Sequence, residues 1–64
     1  MHMKLKTIIV EDEILGQEAL RGILQMYCYD TVEVVDVVAS VCKAVESIHA
    51  NNPDLVFLDI KLGS

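Results

Sequence analysis

The 64-residue sequence predicts an α/β fold in which a small parallel sheet is wound with helices in the order β-α-β-α-β. Two apolar runs, Ile8-Ile9-Val10 and Leu55-Val56-Phe57-Leu58, each lead directly into acidic residues and have the composition of strands buried on both faces. Between them a valine-rich stretch is flanked by two segments with apolar residues at helical spacing. Open parallel sheets take their ligands at the carboxyl ends of their strands, which is where Glu11, Asp12 and Asp59 stand.

Taken in order, residues 5 to 10 form the first strand, closed by Glu11-Asp12-Glu13. From Ile14 to Tyr27, residues Leu15, Ala19, Leu20, Ile23, Leu24 and Tyr27 mark one face of a helix. Asp12 is the expected N-cap, and Glu13 favours the positive end of the helix dipole. Gly16 and Gly22 each weaken this helix by up to ~1 kcal/mol relative to Ala, so it depends on packing. It should end near Cys28-Tyr29-Asp30. Val32 to Ala39 is a second strand by its valines, and Glu33 and Asp36 suit it to an edge. Ser40 is the expected N-cap of a second helix with Val41, Ala44, Val45 and Ile48 on its inner face. Asn51-Asn52-Pro53 stops that helix, because Asn tolerates a left-handed C-cap and Pro cannot continue. The third strand follows and delivers Asp59 at its exit.

Right-handed crossovers and a charged second strand at the edge give strand order 2-1-3, with the helices on opposite faces. This is half of a flavodoxin-like doubly wound parallel sheet. Its switch point lies between strands 1 and 3, so three carboxylates converge on one crevice.

Composition narrows the function. The net charge of −5, with only five scattered Lys and Arg, argues against nucleic-acid contact by this segment. No run approaches the ~20 apolar residues of a membrane span, and no signal peptide is visible, so a cytoplasmic protein is expected. Cys28 and Cys42 lack metal or redox spacing and read as small buried hydrophobes. His2 and His49 read as surface residues. A chain of this length buries only about 60% of its unfolded surface, so its stability is marginal.

Three converging carboxylates repel one another unless a cation sits among them, and oxygen-only ligation suits Mg²⁺. A carboxylate beside such an ion can attack phosphorus. Asp59, single and at the end of the apolar strand, is the candidate nucleophile, with Glu11 and Asp12 as metal ligands. The bland alternative is that these residues are helix caps and strand ends without chemistry.

Ile8-Ile9-Val10-Glu11-Asp12-Glu13 and Pro53-Asp54-Leu55-Val56-Phe57-Leu58-Asp59-Ile60 resemble the receiver domain of bacterial response regulators, over nearly the whole chain. The wording of the second motif looks most like receivers joined to LytTR-type DNA-binding domains. The resemblance implies that Asp59 accepts phosphate from a histidine kinase and that Asp12 binds Mg²⁺ directly. It further implies that Glu11 assists and that Lys61 contributes its backbone carbonyl. It implies a phosphoacceptor rather than an enzyme, one that catalyses its own phosphorylation weakly here. Glu11 replaces the Asp that is frequent in the family, Ile14 replaces a frequent Pro, and Gly63 stands where a Pro is often found. Residues 1–64 match only strands 1–3 and helices 1–2, without the family's Ser/Thr after strand four, Lys after strand five, or output domain. Met1-His2-Met3 reads as a start codon plus a cloning remnant, and Gly63-Ser64 as either a natural pair or a scar, so the expectation is a truncated receiver domain, the alternative being part of a longer protein. Strand 3 would then be an exposed edge driving homo-oligomer formation. The competing reading is a self-associating structural piece with no phosphotransfer. A haloacid-dehalogenase-type phosphohydrolase would want Asp where Lys61 stands.

Overall fold

The structure, a computed structural model, describes residues 4–59. Strand β1 (Leu5–Glu11), helix α1 (Ile14–Tyr27), strand β2 (Val32–Val38), helix α2 (Val41–Asn51) and strand β3 (Leu55–Asp59) follow in the expected order. All strands are parallel, and the sheet runs β2-β1-β3.

The central position of β1 explains its burial. Ile8, Ile9 and Val10 expose nothing to solvent, and alternate residues serve opposite faces. Ile8 and Val10 pack with Ala44 of α2, together with Val35 and Val38. On the other face Val34 and Val37 border surface hollows shared with α1. The core is therefore one strand thick.

Four expectations are corrected. The third strand is not buried on both faces: Val56 and Leu58 are exposed, because among the described residues both helices pack on β1 and β2 and not on β3. The expected inner face of α1 is largely outside, with Leu15 and Tyr27 at 78% and 75% exposure, and Leu24 is its one buried residue. Helical periodicity identifies an apolar side, but here two strands are too narrow to cover it. In α2 the buried stripe is Ala44 and Ser47 rather than Val41, Val45 and Ile48. Finally, Cys42 is exposed and Cys28 only half-buried, both as free thiols.

Burial of Ser47 has a polar cause. Between Thr7 and Ile8 the β1–β2 register slips from Val34 to Asp36, a bulge that leaves Val35 unpaired. Asp36 then receives a hydrogen bond from the Ser47 hydroxyl and another from the Val37 amide at 2.9 Å. Asn51 Nδ2 donates to Ser47 Oγ at 3.0 Å. The residue that marked β2 as an edge strand thus fastens α2 to it.

The second helix is capped as expected. Ser40 Oγ accepts from the Lys43 amide at 3.2 Å, and Asn52 adopts φ 50°, ψ 59° with its amide on the Ile48 carbonyl. Lys6 secures the entry to β3: its amide donates to Asp54 Oδ2 at 2.9 Å, and the Asp54 amide returns a bond to the Lys6 carbonyl at 2.8 Å. Lys6 Nζ meets the Asn51 carbonyl at 3.0 Å, a cation at the negative end of α2.

Candidate functional site

The carboxyl ends of β1 and β3 meet in register. Glu11, the last residue of β1, pairs with Asp59, the last of β3, and the chain reverses direction into α1 immediately after Glu11. Parallel pairing therefore sets the two carboxylates at one level of the sheet, beside the acidic turn.

Glu11 is the ordered member of the group, at 3% exposure. Its Oε1 accepts from the Glu13 amide at 3.0 Å, and its backbone carbonyl accepts from Gln17 Nε2 at 2.7 Å. Its side chain lies against Gly16 of α1. This arrangement corrects the expected cap. Glu13, not Asp12, is the N-cap residue of α1, with extended backbone angles and no side-chain capping bond. The side chain that takes an amide of this turn is Glu11, which holds that of Glu13 two residues on.

One oxygen each from Glu11, Asp12 and Glu13 lies within 4.8 Å of the others. Of the residues expected in the site, the structure brings Glu11 and Asp12 together and sets Asp59 beside Glu11 on the neighbouring strand. Lys61 lies outside the described residues. Two contributors were missed: Glu13, assigned only to the helix dipole, and Gly16, treated only as a helix-weakening residue. A third consecutive acidic residue was the available signal for Glu13. No local signal exists for Gly16, whose role arises from a contact in space.

The electrostatics record crowding. The Glu13 amide is the largest single influence on Glu11 and pulls its carboxyl pKa down. A hydrogen bond shared with Asp59, burial, the Asp12 carboxyl and the Asp59 charge together outweigh it, and the net shift is upward. The donor set is all oxygen, negatively charged and clustered. That is the chemistry a hard divalent cation fits, since the ion would remove the repulsion that raises Glu11.

A parallel β2-β1-β3 sheet with acidic groups crowded at its switch point is the arrangement that the resemblance to receiver domains implies. Over nearly all of its length the chain is similar to response regulators of the LytTR type. Over 58 residues, 91% of its length, it is 40% identical to the transcriptional regulatory protein BtsR of Salmonella typhi. Over the same span it is 38% identical to the sensory transduction protein LytT of Bacillus anthracis and 34% to BtsR of Escherichia coli K12. The chain spans 23% of the length of these relatives. No family model matches it. No solved structure matches it either. Among the described residues no helix is long and apolar enough to cross a membrane.

Proposed function

We propose that Asp59 is the phosphoacceptor of a cytoplasmic two-component regulator, loaded with the help of Mg²⁺ held by Glu11 and Asp12. The observation that carries this reading is the register pairing of Glu11 with Asp59, which sets an exposed carboxylate next to a buried one at the sheet's carboxyl end. In the transfer, an Asp59 carboxylate oxygen forms a bond to phosphorus. The bond from phosphorus to the donor breaks, and the donor leaves with the electron pair. The donor is a phosphohistidine of a sensor kinase, or a small acyl phosphate. Mg²⁺ supplies neutralisation of charge on the phosphoryl group. Glu11 and Asp12 would hold the ion, and the resemblance adds the backbone carbonyl of Lys61 to them. Asp59 is consumed stoichiometrically, so the segment is a substrate of its kinase rather than an enzyme. The names of the relatives fit regulation of transcription by the parent protein, through a segment other than this acidic one.

Incubation with acetyl phosphate and Mg²⁺, followed by mass spectrometry, should add one phosphoryl group. An adduct that persists in Asp59→Ala would overturn the assignment. Mg²⁺ should also raise the thermal midpoint of the chain, with the gain lost in Asp12→Ala and on adding a chelator.

A second reading concerns assembly and rests on β3. Its outer side pairs with no strand among the described residues, and Leu58 is 67% exposed. An open apolar edge is a template for a second copy. Self-association through β3 is compatible with phosphotransfer, and alone it would describe a structural piece.

A further inference from the structure

The structure assigns Gly16 a positioning role: residue 16 lacks a side chain because the Glu11 side chain occupies that volume. Gly16 is the third residue of α1, where a helix would ordinarily favour almost any residue over glycine. A Cβ placed on it would lie 2.7 Å from Glu11 Cδ, 2.9 Å from Cγ and 3.0 Å from Oε2. Separations below 3.0 Å are ones that real Cβ atoms essentially never show. Among the described residues, nothing beyond its chain neighbours and its own helix backbone lies within 4 Å of a Cβ placed on Gly22 in the same helix. Helix propensity treats the two glycines alike, whereas their surroundings differ.

Something must yield when residue 16 gains a methyl group, and Glu11 has one soft direction. Its backbone is fixed in the central strand, and its carbonyl is held by Gln17 Nε2. The side chain can swing only by leaving the Glu13 amide, its 3.0 Å partner. The methyl group would therefore relocate the carboxylate that sits beside Asp12, Glu13 and Asp59. Gly16 acts through Glu11 and touches none of the reacting groups itself. That this carboxylate serves a cation rests on the function proposed above, whereas the Gly16–Glu11 coupling does not.

The test uses the full 64-residue chain with Gly16→Ala, Gly22→Ala, Glu11→Ala and the double variant Glu11→Ala/Gly16→Ala. In metal-free buffer, Gly22→Ala should raise the urea midpoint, and Gly16→Ala should fall below it. In the Glu11→Ala background the Gly16→Ala change should become stabilising. The Glu13 amide should shift in ¹H–¹⁵N spectra and exchange faster in Gly16→Ala but not in Gly22→Ala. Titration with Mn²⁺ should show affinity about tenfold weaker in Gly16→Ala, the scale of losing a group that orients a ligand. Equal behaviour of the two glycine variants would overturn the proposal, as would Mn²⁺ affinity unchanged by Gly16→Ala. Should Gly16→Ala fail to fold, the double variant must fold as well as Glu11→Ala alone, and its failure would also overturn the proposal. If the parent chain binds no Mn²⁺ while the stability cycle and the Glu13 amide respond as expected, the cation reading falls and the positioning role stands.

Discussion

Strands β1 and β3 look alike as sequence and end alike in structure, yet they are held by different physics. Each is an apolar run closed by a carboxylate, and the two carboxylates sit in register. β1 has a strand on each side and a helix on each face, so Thr7 through Glu11 are all buried. Among the described residues β3 has one neighbouring strand and no helix packed on it, and its residues are half-buried or exposed. Apolar composition records what a strand can bury. What it does bury depends on the neighbours the chain supplies. The site inherits this asymmetry, with Glu11 fixed and dry and Asp59 open to solvent.

Truncation variants break the comparison most sharply. Ile9→Ala, at a position with 0% exposure, should cost about 2–5 kcal/mol. For so small a core that is comparable with the whole stability, so its cooperative urea transition should disappear. Leu58→Ala, at 67% exposure, should shift the midpoint by no more than about 0.5 kcal/mol. Similar losses at both positions would mean that β3 is as well packed as β1.

Element order, strand order and both ends of α2 were legible in the residues. Glu33 and Asp36 marked the edge strand, and Ser40 and Asn52 act at the helix ends as their chemistry dictates. The acidic strand ends were legible for the same reason, since parallel topology alone brings them to one side. Three features were not. Periodicity in α1 showed where Leu15, Ile23 and Tyr27 point, but not whether two strands could cover them. The bulge after Thr7 could not be read, and with it went the link from Asp36 to Ser47. The contact of Gly16 with Glu11 joins two elements whose separation no pattern encodes. Local chemistry was readable, and coverage and cross-element contact were not.

A smaller effect should appear at the amino end of the β1–β3 pair. Asp54→Ala removes the acceptor for the Lys6 amide, a charge-assisted bond at an exposed position. A loss of about 1 kcal/mol is expected, at the low end for such bonds because water competes. Hydrogen exchange should quicken at the Lys6 amide and along β3, while the central amides of β1 stay protected. Uniform acceleration across the sheet would show that β3 does not open separately.

At the carboxyl end the comparison becomes a pH dependence. The Glu11 pKa is raised above its unfolded value of 4.5, so between 4.5 and the folded value the native state binds the extra proton. Stability from this group is fully present below 4.5 and is lost as pH rises through the folded value. The urea midpoint of the parent chain should therefore fall with rising pH more than that of Glu11→Gln. Asp59→Asn, which removes the neighbouring charge, should flatten the dependence, and Mg²⁺ should do likewise. A parent midpoint that rises over this range relative to Glu11→Gln would reverse the assigned direction.

The smallest effect on folding should accompany the clearest effect on assembly. Leu58→Lys replaces an exposed side chain at the end of the open strand, so the stability of a single copy should change by less than about 0.5 kcal/mol. A lysine on an edge strand opposes pairing with another copy, because joining edges brings like charges together and draws them out of water. Light scattering at about 50 µM should show the parent chain associated, with the association diminished in Leu58→Lys. A parent chain that stays monomeric would remove the self-association reading. Association that survives Leu58→Lys but falls in Leu15→Lys would move the contact from β3 to the uncovered face of α1. In that case the open backbone edge would matter less than the apolar surface a two-strand platform leaves bare.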